Sequence, residues 1–278
     1  RDNPGVTGVE FVHMFNSFGS EVTLIVSRQQ VLPGKDPEVA AVLEENFLER
    51  GVRLLKGARA TSIDTTADGV TVSCDDGRIV EGSYALLAIG SVPNSDGLGL
   101  ENAGVETQWG YVEIDADCRS SVPHIFAAGD LSGKLPLSSV ASMQGRKIAE
   151  TLMGRATHGH NRVDYDKAAS AIFTEPEIAD VGLAEADAFA MGRKVRVTKV
   201  PFTTSAKALI NDDPRGFIKL ISDPATGEVM GGSIVGRHAA ELISVISLAI
   251  TASLTVRDVY DSLLVHPTLS ELISDAAE

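Results

Sequence analysis

Cysteine is almost missing from this chain. Cys74 and Cys118 are the only two in 278 residues. They lie far apart and outside any C-x-x-C or metal-type spacing, which argues against a disulfide scaffold or a zinc site and for a reducing, cytoplasmic compartment. Basic charge is short as well: 24 Lys and Arg face 38 Asp and Glu, a net charge of −14. Nucleic-acid backbones and anionic membranes are repelled by such a surface, which leaves room only for a local basic pocket that binds phosphate. Long apolar runs are also lacking. The best candidate, Leu242 to Val256, is broken repeatedly by Ser and Thr and falls short of the ~20 residues that cross a bilayer. What is present is ample core material, with 44% of residues hydrophobic, so wholesale disorder is a poor reading. The length exceeds the ~100–200 residues of one domain, so two or three are expected.

A first strand is missing too. The chain opens at Arg1-Asp2-Asn3-Pro4 without an initiator Met and runs directly into the glycine turn Gly5 to Glu10. Val9, Val12, Phe15 and Phe18 then recur at helical spacing, and Gly19 stands at the C-cap position. Glu21 to Ser27 is a β-branched run short enough for a buried parallel strand. Turn, helix and strand in that order make the second half of a βαβ unit whose first strand should precede Gly5. A C-terminal fragment of a longer protein is expected.

The pattern goes on with a helix over Pro37–Glu49, closed by Gly51, and strands at Val52–Leu55, Ala60–Thr65, Gly69–Cys74 and Arg78–Glu81. Tyr84 to Ile89 is a continuous apolar run ending in Gly90 and reads as another buried strand. Residues 97–110 read as loop and turn. Val122 to Gly129 reads as a strand ending in Gly129-Asp130, followed by a helix over Ser138–Met153 and a polar linker at Gly154–Arg162. Strands at Val195–Pro201, Gly216–Ser222 and Gly231–Val235, with helices at Ala239–Leu254 and the C-terminus, form a distinct α+β block.

The glycine turn is half of a dinucleotide fingerprint. In the full G-x-G-x-x-G, glycines allow the backbone close to a pyrophosphate, which rests on the free N–H groups of the next helix. Gly5 and Gly8 fill the second and third positions and Asn3 stands at the first. Half a fingerprint fits a cofactor turn or a plain turn. At the end of the following strand, Val26-Ser27-Arg28 carries no carboxylate for the ribose 2′-hydroxyl of NAD, whereas Arg28 can meet the 2′-phosphate of NADP. A solvated surface charge accounts for Arg28 equally well.

Further strings carry a family resemblance. Ala88-Ile89-Gly90-Ser91-Val92-Pro93-Asn94 resembles the Ala-Thr/Ile-Gly-Arg-x-Pro-Asn signature of the FAD-containing pyridine nucleotide–disulfide oxidoreductases. Ile125-Phe126-Ala127-Ala128-Gly129-Asp130 resembles their second flavin motif, and His266-Pro267-Thr268-Leu269-Ser270-Glu271 their C-terminal H-P-T-x-x-E. Phe173-Thr174-Glu175-Pro176-Glu177 and Gly216 to Leu220 resemble landmarks of their dimerisation domain. The resemblance spans the whole chain in order. Dihydrolipoamide dehydrogenase-type enzymes are the general model. Leu135 to Ala141, and Ser91 in place of Arg, look more like an actinobacterial NAD(P)H–quinone reductase branch. His266 and Glu271 are what a disulfide reductase would keep.

The resemblance implies an α/β chain. A partial Rossmann-like NAD(P)-binding domain would cover residues 1–94, an FAD-contacting segment 95–160, and an α+β dimerisation domain 161–278. The cofactor-binding candidates are Gly5, Gly8, Glu10, Val26, Ser27, Arg28, Gly90, Asp130, Leu137, Ser138 and Ser139. Asp130 at the carboxyl end of a strand can accept from a ribityl hydroxyl, or simply cap a helix. Leu137 to Ser139 would aim helix N-terminal amides at the flavin ring. His266 and Glu271 would be the acid–base pair, imidazole titrating near neutrality and carboxylate orienting it. The implied activity passes electrons from NAD(P)H through FAD to a lipoyl-type or other small-molecule disulfide, in a homodimer; a quinone is the rival acceptor. A non-catalytic dinucleotide-binding or dimerisation module is the reading from another class. The family's redox cysteine pair would lie upstream, so Cys74 and Cys118 are not it.

Overall fold

The computed structural model describes residues 5–155 and 162–278; Asn3, and His158 and His160 of the linker, lie outside them. The chain divides into two compact units, one of residues 91–168 and one combining the segments up to Gly90 with Ala169–Glu278.

The larger unit opens with α1 (Val6–Ser17), β1 (Thr23–Val26), α2 (Pro37–Glu49) and β2 (Arg53–Lys56). The limits of α2 are written locally. Asp36 accepts the Glu38 N–H at 2.8 Å and Pro37 occupies the first turn, while Gly51 at φ +82° lets Val52 N–H reach the Phe47 carbonyl. β1 and β2 pair in parallel, Thr23 with Arg53 through Val26 with Lys56. An antiparallel meander follows: β3 (Ala60–Thr65), β4 (Val70–Cys74) and β5 (Ile79–Gly82).

The smaller unit contains the hairpin β6 (Thr107–Gln108) and β7 (Tyr111–Val112), where only loop and turn were expected, and the helix α3 (Ser138–Leu152). Val105, Val112 and Ala127 form its small core with Leu100, Ile125 and Leu131.

Returning to the larger unit, the chain forms β8 (Ser170–Ile172), β9 (Glu177–Gly182), α4 (Glu185–Ala190), β10 (Arg196–Pro201), α5 (Ala206–Ile210), β11 (Phe217–Ser222), β12 (Val229–Gly236), α6 (Ala239–Thr251), α7 (Val256–Tyr260) and α8 (Glu271–Ala277). Five of these strands make one antiparallel sheet in the order β10-β11-β12-β9-β8. The sheet is buried on both faces. Ala179, Val181, Ile218, Leu220 and Ile234 point to α6 and α8, whereas Ile172, Ile178, Phe217 and Val235 share a core with Val9, Val12, Leu43 and Phe47 of α1 and α2. Strict alternation along each strand produces this division. Gly232 admits α6: a Cβ there would stand 2.9 Å from Ile246 Cδ1. No helix among the described residues is long and apolar enough to cross a membrane.

Two expected strands do not form. Tyr84 to Ile89 is irregular and mostly exposed, Tyr84 by 94% and Ile89 by 87%. Val122 to Gly129 keeps one isolated bridge, Phe126 with Arg119. A strand needs a hydrogen-bonding neighbour along its edge, and no described segment supplies one to either run. The helix expected to reach Leu254 stops at Thr251.

Candidate functional site

The Gly5 turn is left-handed. Gly5 sits at φ 102°, ψ −10° and caps α1 without any side-chain bond, a backbone state natural only to glycine. Its carbonyl accepts the Val9 N–H. Among the described residues no acceptor meets the N–H groups of Val6, Thr7 or Gly8. Gly8 is buried, with Ala88 the nearest neighbour of its missing Cβ at 3.7 Å. Glu10 is partly engaged elsewhere: its Oε1 accepts the Phe173 N–H at 2.9 Å. Across the same core, Val26 ends β1 and is half-buried, while Ser27 and Arg28 are exposed. The Arg28 guanidinium has no ion pair among the described residues, and its carbonyl accepts the Gly57 N–H. Gly90, at φ +121°, is exposed.

The smaller unit holds the second group of candidates. Gly129 bends the chain at φ 75°, ψ −157°, and Asp130 begins a single 3-10 turn with Leu131 and Ser132. The Asp130 side chain is exposed and bonds to nothing among the described residues. It does not cap α3: that helix starts at Ser138 behind an extended Leu137, with no side-chain cap. Leu137 accepts from Ala141, leaving the amides of Ser138, Ser139 and Val140 without acceptors among the described residues. A free carboxylate and an open helix end suit a ligand that offers both hydroxyls and developing negative charge.

His266 and Glu271 are brought together. Nδ1 of His266 donates to Glu271 Oε1 at 2.8 Å, and Glu271 Oε2 accepts the Thr268 N–H at 2.7 Å. Those two bonds, the Thr268 amide first, hold the Glu271 carboxyl below the usual carboxylate range. The ionised carboxylate thereby fixes the Nδ1–H tautomer and turns Nε2 outward. The His266 side chain is 73% exposed, beside exposed Leu263 and Val265.

Several polar groups have structural work instead. Lys219, buried within β11, meets Asp36 at 2.6 Å, Glu38 at 2.6 Å and Glu185 at 2.8 Å. Burial alone would lower this ammonium, but its bonds to Asp36, Glu185 and Glu38 outweigh that and raise it. The three carboxylates are thus accounted for by a cation of the chain itself. Lys199 also pairs with Glu38, and Lys35 with Asp180. His13 bonds Arg50 at 3.0 Å. Asp213 pairs with Arg215 at 2.6 Å, and Arg215 reaches Glu175 at 2.9 Å. Cys74 and Cys118 are both free and buried. Sequence reading passed over one buried polar residue beside the Gly129 bend, Gln144. Its signal was an amide four residues after Val140, on the same apolar stripe of α3.

Residues 4–145 match the family model for pyridine nucleotide-disulphide oxidoreductases, and residues 168–277 match the dimerisation domain of the same family. The chain belongs to that family. It is 43% identical over 274 residues to an NAD(P)H dehydrogenase (quinone) of Mycobacterium tuberculosis, covering 98% of this chain and 55% of that protein. A dihydrolipoyl dehydrogenase of Chlamydia muridarum is 37% identical, covering 98% and 58%. Among solved structures, LpdA from Mycobacterium tuberculosis superposes with a TM-score of 0.92 at 43% identity, over 99% of this chain and 59% of that one. The chain spans a little over half the length of the curated relatives it matches.

Proposed function

We propose that this chain carries the nucleotide-binding and dimerisation parts of an FAD-dependent oxidoreductase that passes electrons from NAD(P)H to a disulfide, as a homodimer. The observation that carries the reading is the oriented pair: Glu271 holds Nδ1–H of His266 and leaves Nε2 facing solvent. An imidazole so fixed can take up a proton at its outward Nε2, pass that proton to a departing thiolate sulfur and return to the neutral form, while its Nδ1–H stays bound to the carboxylate. Reduction of one disulfide consumes two electrons and two protons, and His266 would supply one of the protons. A bound flavin would supply hydride acceptance from NAD(P)H and two-electron transfer to the acceptor. Within the smaller unit, Asp130 and the open amides of Ser138 and Ser139 would hold it, with Leu137 shaping the backbone beside them; Gly90 of the larger unit is a cofactor candidate through its family string alone. Gly5, Gly8 and Glu10 would form the nicotinamide-dinucleotide turn. Val26, Ser27 and Arg28, with no carboxylate among them, favour NADPH at least as much as NADH.

The dimer reading draws on α6. Leu242, Val245 and Leu248 follow one another at three-residue spacing beside the buried Ile243, Ile246 and Ile250; the first two are half-buried against the core, and Leu248 is exposed. An apolar second face on a helix calls for a partner surface, and a closed twofold pairing would cover it. Two unpaired cysteines accord with a reducing, cytoplasmic setting.

A quinone acceptor is the second reading, favoured by the 43% identity to the mycobacterial quinone dehydrogenase against 37% to the chlamydial dihydrolipoyl dehydrogenase. His266→Ala in the holoenzyme separates the two. Disulfide turnover should fall by about 10²–10⁴-fold, with flavin reduction by NADPH nearly intact because hydride transfer needs no proton from His266. Unchanged disulfide turnover, or lost flavin reduction, would remove the catalytic role; quinone turnover without any disulfide turnover would select the second reading.

A further inference from the structure

Gly129 occupies a region of backbone space, φ 75° and ψ −157°, that is essentially open to glycine alone, and of the many conformations a glycine can adopt its surroundings select this one. The surroundings here are side chains. Gln144 Oε1 accepts the Gly129 N–H at 2.7 Å, and Ser132 Oγ donates to the Gly129 carbonyl at 2.7 Å. The two clamps are themselves joined, Gln144 Nε2 donating to Ser132 Oγ at 3.2 Å and to the Tyr165 hydroxyl at 2.9 Å. Gln144 is fully buried and Ser132 nearly so. An amide buried on the apolar stripe of a helix is costly unless it is bonded. Here both of its amide protons and its oxygen are used, and its oxygen goes to the residue before Asp130.

We infer that Gln144 is a positioning residue for the flavin-facing turn. From inside α3 it fixes the Gly129 bend, and so sets where the Asp130 carboxylate stands relative to the open N-terminal amides of the same helix. This rests on the flavoprotein reading. It assigns to one buried amide the task of joining the two groups that would hold the cofactor, a hydroxyl acceptor and a helix end, into one rigid receptor.

The test is flavin binding by the holoenzyme and by its flavin-stripped form, for wild type, Gln144→Met, Gln144→Glu and Tyr165→Phe. Methionine keeps the volume but leaves the Gly129 N–H buried and unbonded, so the FAD dissociation constant should rise about tenfold or more, with an altered flavin absorption band. Glutamate keeps the acceptor for the Gly129 N–H; protonated in this buried site, its second oxygen can donate to Ser132 Oγ while the Tyr165 hydroxyl turns to donate to it, so binding should return to within about threefold of wild type. Tyr165→Phe removes only an outer bond; it should weaken FAD by about two- to threefold, and it serves if Gln144→Met does not fold. The inference is overturned if Gln144→Met binds FAD like wild type. It is equally overturned if the Met and Glu variants lose flavin in proportion to their melting temperatures, because Gln144 would then be a core residue only. A wild-type holoenzyme that holds no FAD would sink the flavoprotein reading itself, a result recognisable before any variant is made.

Discussion

The sheet of residues 170–236 and the apolar runs 84–89 and 122–129 share a composition and differ in outcome. In the sheet, each strand finds its neighbours within the same stretch of chain: β11 and β12 are joined by a short turn, β8 and β9 form a hairpin, and β10 reaches β11 through α5. Ile218 and Ile234 are fully buried as a result. The two runs are as rich in Ala, Leu and Ile, yet Leu87 and Ile89 are exposed and neither run forms a strand. Apolar composition states a demand for burial. Whether it is met depends on strand partners, which antiparallel connection brings close in sequence and parallel connection does not.

The largest effect that would test this contrast is in the sheet. Ile234 on β12 is fully buried between Ala179, Ile218 and the helices α6 and α8. Ile234→Ala should remove about 3–5 kcal/mol of stability, measured by urea unfolding. A loss under 1 kcal/mol would mean that the sheet is not the organising core.

A middle-sized effect separates the two units by pH, each read through its own cysteine. In the larger unit, Glu38 is held low by its bond to Lys199 and then by Lys219, and Asp213 by Arg215. A depressed carboxyl contributes stability that is present above its ordinary value near pH ~4 and is lost as pH falls through the depressed one. In the smaller unit, burial pushes the Cys118 thiol up, with Asp115 and Asp117 adding to it. A raised group works the other way: its contribution is full below the ordinary thiol value near ~8.5 and is lost as pH rises through the raised one. Urea midpoints from dithiodipyridine labelling should therefore fall below about pH 4 at Cys74 and above about pH 8.5 at Cys118. If both thiols respond together at both extremes, the units unfold as one.

What could be read in advance follows the same division. α2 was legible to its ends because Asp36, Pro37 and Gly51 are local signals, and β3 because its partner lies one turn away. β8 and β9 were not read as strands: Ser170, Ala171, Ala179, Asp180 and Gly182 have little β preference, and Asp180 sits in a strand because Lys35 and Ser170 bind its carboxylate. Of the candidate site, the His266–Glu271 contact was legible through the resemblance of residues 266–271 to the family's H-P-T-x-x-E string. Gln144 was not, since the bond that gives it meaning runs to a residue fifteen positions earlier and depends on a bend no propensity describes.

The smallest expected effect is the most direct test of the contrast. Leu87 lies in the middle of the Tyr84–Ile89 run and is 63% exposed in this chain. Truncating a leucine costs about 2–5 kcal/mol where the side chain is buried, but an exposed one away from caps and networks moves stability by no more than about 0.5 kcal/mol. Leu87→Ala in this chain should therefore leave the urea midpoint nearly unchanged, while Ile234→Ala lowers it sharply. The same substitution placed in a longer chain that supplied strand partners to the run should cost several-fold more, because the methyl groups removed would then leave a cavity. Equal losses for Leu87→Ala with and without those partners would show that the run is never a sheet strand, and that its apolar sequence answers to something other than burial.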